Sequence, residues 1–352
     1  MNKIINGIQQ IGIGVADAKE VFNWYRVHLG FDILVFEDEA TADLMVAYTG
    51  GKPVARFAML SLNMSGGGGL EIWQAKNKEP RAGSFPVQLG DLGINVMKIR
   101  SRAIHRAHAR LKLLNLQLLT DVVRTPEGRF HFYFRDPWEN IVEVVSDTYV
   151  YSDRDKISGG VLGVVTGVKD MDLSLRFYRE VLGYDTMVYD LEGAFPGFSG
   201  LPGAAHRFRR VLLRHSQKAV GGFGELFGPS EIELLQVLDR EPLKVYRDRH
   251  WGDLGYIHLC FDISGMQQLS EDCSQLGYPF TVDSRESFDM GEASGHFGYV
   301  EDPDGTLIEF VETHRVPIFK PLGLSINLKK RDPGRPLPKW MVNALKLRKI
   351  SS

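Results

Sequence analysis

Cysteine is nearly absent: Cys260 and Cys273 are the only two in 352 residues, and neither sits in a CxxC pair. That excludes a disulfide framework and a thiolate zinc site, and both read as plain buried side chains of a reducing compartment. Charge of one sign is missing too. Lys plus Arg number 42 against 44 Asp plus Glu, a formal net charge of -2, which gives no global attraction to nucleic acid or to anionic membranes. No apolar run approaches the roughly 20 residues that span a bilayer, and the opening MNKIINGIQQ lacks the apolar core of a secretory signal. The expectation is a cytoplasmic protein with no nucleic-acid or membrane partner. What the chain does have is 43% hydrophobic residues over a length greater than one usual domain needs, so two domains are expected.

Internal repetition gives the organisation. IGIGVADAKEVFNWYRVHLGFD recurs as VVTGVKDMDLSLRFYREVLGYD, with Asp17 matching Asp170 and Gly30 matching Gly183, each 153 residues on. FYFRDPWENIVEVV likewise recurs as GYVEDPDGTLIEFV, with Asp136 matching Asp302, 166 residues on. The chain is a duplicated pair. Each unit opens on a short apolar run, such as Ile11 to Val15, which reads as a buried strand. A helix follows, N-capped by Asp17 with Glu20 three positions later, and buried through Val21, Trp24, Tyr25 and Leu29. Gly30 and Gly183 end the helices, strand-like stretches follow, and Asp136-Pro137 and Asp302-Pro303 supply turns before the last strands. The order is βαβββ, four times over, at about 5–78, 86–147, 159–240 and 251–314.

The fold class is therefore α+β, and sequential pairing predicts domains at 1–150 and 151–316, joined through DTYVYSDRDKISGG. From 317 onward the chain reads as a basic C-terminal arm, with nine Lys or Arg and one Asp between Lys320 and Ser352. Docking across the protein or a partner subunit is its expected role. Gly66 to Gly69 reads as a flexible loop, not a phosphate cradle, because no lysine or helix start follows it. Arg100, Arg102, Arg106 and Arg110 are expected on a solvated helix face. Arg207, Arg209 and Arg210, beside a strand, could assist an anionic substrate.

The strand, the helix ending in FYxxxLG and the closing DPxGxxIEF strand resemble the vicinal oxygen chelate superfamily of glyoxalases, bleomycin-resistance proteins and extradiol dioxygenases. The resemblance covers nearly the whole chain except the arm. It implies four modules curled into two half-open sheet barrels, with a divalent metal (Zn, Fe, Mn, Ni or Co) held by side chains from first and last strands. Carried over residue by residue, the first-strand positions are Gln10, Asp91, Gly163 and His258, and the last-strand positions are Glu71, Glu143, Glu233 and Glu309. Gly163 cannot ligate, so four intact sites are excluded. If sequential modules pair, Gln10, Glu71, Asp91 and Glu143 share one cavity and Glu233, His258 and Glu309 the other. If the first module pairs with the last, Gln10, Glu71, His258 and Glu309 gather instead, a set that resembles the ligands of glyoxalase lyases.

A carboxylate on an apolar strand is costly unless paired or metal-bound, which is why these glutamates point to a cation. The metal candidates are His258, Glu309, Glu233, Gln10 and Glu71; the catalytic candidates are Glu309, Glu71 and Tyr299, the last ten residues before Glu309. The resemblance implies a lyase or isomerase working through an enolate-type anion on a small oxygen-chelating substrate. An extradiol-type dioxygenase with non-haem iron is the alternative enzyme, needing a second histidine such as His250 or His296. Sequestration of a small molecule without catalysis is the third reading. A four-module chain can complete its cavities alone, so monomer and homodimer are both open.

Overall fold

In the computed structural model, residues 3–350 are described except 286–287, 290–293, 320–323 and 330. Two large sheets carry the chain. The first runs, in spatial order, Val282–Asp283, Ser294–Glu301, Leu307–Phe319, Gly255–Ser264, Ile4–Val15, Gly69–Ala75, Ala55–Leu62 and Ile33–Thr41. The second runs Thr186–Gly193, Phe208–Arg214, Glu231–Val237, Val161–Gly167, Gly93–Ser101, Ile141–Ser146, Phe130–Arg135 and Gln117–Leu118. Each sheet is two four-strand modules joined through their opening strands, which is the half-open barrel architecture expected.

The pairing is crossed. The opening strand of the first module lies antiparallel to that of the fourth, with Gln10 opposite Cys260 and Gly12 opposite His258. The second and third modules meet where Val161 faces Ile99. The sheets thus cut across the division expected at 150/151. The reason is that the adhesive part of each module is the exposed edge of its opening strand, and an unpaired edge joins whichever matching edge reaches it.

The duplicated helix motif does what its sequence requires. Asp17 accepts bonds from the amides of Lys19 and Glu20, both at 3.0 Å, and Asp170 does the same for Asp172 and Leu173. Val21, Phe22, Tyr25 and Leu29 face a continuous core that also takes Phe132, Phe134 and Val142 from the other sheet. That core lies between the sheets.

Two hydrogen bonds staple across it. Tyr25 donates to Asp136 Oδ2 at 2.7 Å, and Tyr178 donates to Asp302 Oδ2 at 3.0 Å. In each case the tyrosine of one repeated motif meets the aspartate of the other, from opposite sheets. All four side chains are buried. The backbone amides of Asp304 and Thr306 also bond Asp302, yet burial still pushes its carboxyl up to about 6.

Gly66 to Gly69 is packed, not loose. The Gly67 amide bonds the carbonyl of Leu226 and the Gly68 amide that of Val161, joining the sheets near the central strands. A Cβ on Gly67 would come within 2.5 Å of the Gly160 backbone, so the seam needs glycine there. The arm docks back on the first module, as expected. Ile350 N bonds Asp32 O, Lys349 pairs with Asp32, and Leu337 and Val342 join an apolar cluster with Ile33, Leu62 and Met64. Among the described residues no helix is long and apolar enough to cross a membrane.

Tyr25→Phe and Tyr178→Phe should each destabilise the fold by about 1–3 kcal/mol, because each leaves a buried carboxyl short of a donor. Urea unfolding at pH 7 measures this; wild-type midpoints in both variants would show that the staples contribute nothing.

Candidate metal centre

The first sheet brings one glutamate from each of two modules to one point. Parallel pairing sets Gly12 beside Glu71 and Cys260 beside Glu309, while Gly12 also faces His258 across the central seam. The side chains of Gln10, Glu71, His258 and Glu309 therefore rise from four adjacent strands on one face. All four are buried. His258 Nε2 lies 3.1 Å from Glu71 Oε2 and 3.1 Å from Glu309 Oε2, and Gln10 Nε2 donates to Glu71 Oε2 at 3.3 Å. Gly12 makes room for the imidazole, since a Cβ there would sit 2.4 Å from its Cε1.

Three polar atoms at this point lack a hydrogen-bond partner despite burial: His258 Nε2, Glu309 Oε2 and Gln10 Oε1. The carboxylate oxygens are near the imidazole nitrogen but not in line with an N–H. The converging ligand atoms of Glu71, His258 and Glu309 fit a cation between them, and one histidine with two carboxylates, the Gln10 amide beside them, makes a mixed N/O donor set suited to a divalent transition ion. Glu71, His258 and Glu309 alone place their ligand atoms within 4.8 Å of one another. Burial opposes charge on His258, but Glu309 and Glu71 outweigh it and push its pKa up to about 10; reciprocally, burial raises Glu309 but His258 wins and holds it below the usual carboxylate range.

Residues 7–144 match the Glyoxalase family model, described as the Glyoxalase/Bleomycin resistance protein/Dioxygenase superfamily. The fold is similar to that of glyoxalase I from Zea mays, at TM-score 0.54 and 12% identity over 88% of this chain and 92% of that one. It is also similar to a Bacillus subtilis protein provisionally named a dioxygenase, at TM-score 0.57 and 16% identity over 88% and 86%. No curated protein matches the chain. The family match thus lies within the first 150 residues, and the solved structures share the fold over most of the chain.

The second sheet is differently furnished. Val165 pairs with Glu233 and Lys98 with Glu143, so the first-strand positions two residues earlier are Gly163 and Val96. Asp91 is not that position. It precedes the strand, where its oxygens bond the amides of Gln88 and Leu243 and pair with Arg240. The signal that locates Val96 is the helix cap: Gln10, Gly163 and His258 each lie seven residues before theirs, at Asp17, Asp170 and Gly265, and Val96 stands seven before Ala103.

Lys98 takes the place of an ion. Its Nζ lies 2.7 Å from Glu231 Oε1, 2.9 Å from Glu233 Oε2 and 3.5 Å from Glu143 Oε2, with all four side chains at most 2% exposed. Burial works against the ammonium, but the three carboxylates outweigh it and hold it charged. Arg210 pairs with Glu233, Arg129 and Arg214 with Glu231, and His131 Nδ1 sits 2.6 Å from Glu143 Oε1. Glu233, expected as a metal ligand, is thus an ion-paired residue of the other sheet and never meets His258. Arg210 and Arg100, expected near a substrate and on a solvated face, are both buried; Arg100 pairs with Asp147.

Around the first centre the structure adds residues that sequence reasoning missed. Trp251, from the connection before the fourth module, stacks within 18° of the His258 ring at 6.4 Å, and Trp73 meets Trp251 at 4.7 Å. Tyr299 pairs in register with Glu309 and its ring lies 5.7 Å from that of His258. His296 instead bonds Asp283, and His250 packs over Gly50, so neither joins the centre.

Glu231 is held down to about 2 because Lys98, Arg129 and Arg214 outweigh burial. Its folded pKa is below the unfolded value of about 4.3. Its pairing therefore stabilises the fold fully above that value and is lost as pH falls through 2. Glu231→Gln should flatten the loss of stability between pH 5 and pH 2 in urea titrations; an unchanged slope would show that the buried pairs do not drive acid unfolding.

Proposed function

We propose that the chain is a metal-dependent lyase or isomerase acting on a small substrate with two neighbouring oxygens. The observation that carries this is the meeting of Gln10, Glu71, His258 and Glu309 with unpartnered ligand atoms turned on one point. These four would hold the ion. When bound, a divalent ion supplies Lewis acidity to both substrate oxygens and lowers the cost of an enolate-like charge.

The chain's own groups do the rest. Glu71 and Glu309 come from the two halves of the sheet and flank one imidazole, so one carboxylate can remove a proton from a substrate carbon while the other returns it. Gln10 fixes Glu71 through its amide N–H, and Tyr299 stands beside Glu309. Met45, Val54, Trp73, Trp251, Ile257 and Leu307 form the surrounding apolar cluster, which excludes water and favours a substrate with an apolar or aromatic body. The likeness to maize glyoxalase I supports the same reaction class. Because one chain supplies all four ligands, the site is complete in a monomer.

The dioxygenase reading is weaker on one observation. Glu71, not a second histidine, stands beside His258 and Glu309, whereas iron-dependent ring cleavage of that type uses two histidines and one carboxylate.

Purified protein loaded with Zn, Mn, Ni or Co and desalted should retain about one ion per chain. Glu309→Gln and His258→Ala should each lower affinity by about 10-fold or more, on the order of 1.4 kcal/mol, while Glu233→Gln leaves metal content unchanged. Two ions per chain, or wild-type retention by Glu309→Gln, would overturn the assignment.

A further inference from the structure

Beside the arm lies a cavity of about 120 Å³, lined by Asn6, Asp262 and Ser264 from the first sheet and by Arg331 and Arg335 from the arm. By volume it holds about four waters, the bulk of a two- or three-carbon molecule. It is distinct from the metal centre, and two polar atoms on its lining are buried without a partner: Asn6 Oδ1, an acceptor, and Arg331 Nε, a cationic donor.

The sheet side of the lining is built to accept hydrogen bonds. Asn6, 2% exposed, gives its amide N–H groups to Asp262 Oδ2 at 2.9 Å and Ser264 Oγ at 3.2 Å. That fixes the amide, so Oδ1 is the atom left over. Asp262, 4% exposed, receives bonds from Asn6 and Gln9, both neutral amides. Burial without a charged partner pushes its carboxyl up to about 7, with Glu312 acting in the same direction. A positive group seated against Asp262 and Asn6 Oδ1 would complete both.

The arm contributes Lys329, Arg331 and Arg335 to the lining, with Asp332 among them. Arg331 keeps only a long bond to Pro336 O at 3.5 Å, and Arg335 beside it is exposed. Glu312 does not compete for them, because it is taken by the Gly265 amide at 2.6 Å and by His314 at 3.3 Å. A guanidinium with an open N–H binds a carboxylate well.

We propose that this cavity binds a small amino acid zwitterion, with the ammonium on Asn6 Oδ1 and Asp262 and the carboxylate on Arg331. Acceptor and cation line the same small cavity, which suits a ligand carrying both charges a few bonds apart. The site is independent of the metal-dependent chemistry.

Calorimetric titration of the full chain with glycine, L-alanine and L-serine tests it, with ethylamine and propionate as single-charge controls. Saturable binding of at least one amino acid is expected, with each control weaker by about 10-fold or more. Asp262→Asn and Arg331→Gln should each weaken binding similarly and leave metal content at the wild-type value. Arg331 lies on the docked arm, so its variant tests the site even if Asp262→Asn fails to fold. No saturable heat with any of the three amino acids, wild-type binding by Arg331→Gln, or equal binding of ethylamine would overturn the proposal.

Discussion

A carboxylate buried on an apolar strand must meet a positive charge, and the architecture turns on how each sheet satisfies that demand. The modules repeat a glutamate on the last strand, which puts two such groups near the centre of every half-barrel. In the first sheet the positive charge intrinsic to the chain is a histidine, flanked by Glu71 and Glu309. One imidazolium between two carboxylates leaves the point short of charge, and the unpartnered ligand atoms show where the remainder belongs. In the second sheet Lys98, Arg210, Arg129 and Arg214 face Glu143, Glu231, Glu233 and Glu127, which balances four against four. The same scaffold thus sets two carboxylates around one histidine in one sheet and balances its carboxylates with internal cations in the other.

Crossed pairing makes that difference possible. Had sequential modules paired, His258 would have shared a cavity with Gly163 and Glu233 in place of Gln10 and Glu71. By joining the first opening strand to the fourth, the chain brings its candidate ligands together from residues about 250 positions apart. The tyrosine–aspartate staples then tie each sheet to the other, so the duplicated motif that is most visible in sequence serves the interface between sheets, not the site.

What could be read in the sequence was local. The helix with its Asp cap, left-handed Gly and apolar face was legible because 3.6-residue periodicity and capping are written within a dozen residues. The recurrent Glu in LEIW and LIEFV was legible because it breaks an apolar run. Module pairing was not, since all four opening strands present similar edges and no local pattern says which pair meets. Lys98 escaped notice for a related reason: one lysine in GINVMKIRS looks like a solvated strand residue until register places it beside Glu143. Trp251 was hidden because it stands ahead of the first strand of the fourth module, Gly255–Ser264, where no periodicity marks a side chain as facing the centre.

The changes in the second half-barrel also constrain one another. Gly163 offers no side chain to Glu233 and Glu143, which without cations would stand as unpaired carboxylates in a dry interior, at a cost of several kcal/mol per unpaired ion. Lys98 removes that cost, but only if no other cation competes for the same space, and Val96 at the remaining first-strand position adds no donor. Lys98 alone could not serve three glutamates, which is why Arg210 takes one side of Glu233 and two further arginines take Glu231. The glutamates and the internal cations are therefore one coupled set. A half-barrel of this chain that keeps its glutamates needs a positive charge beside them, and in the second sheet Lys98 and the arginines supply it.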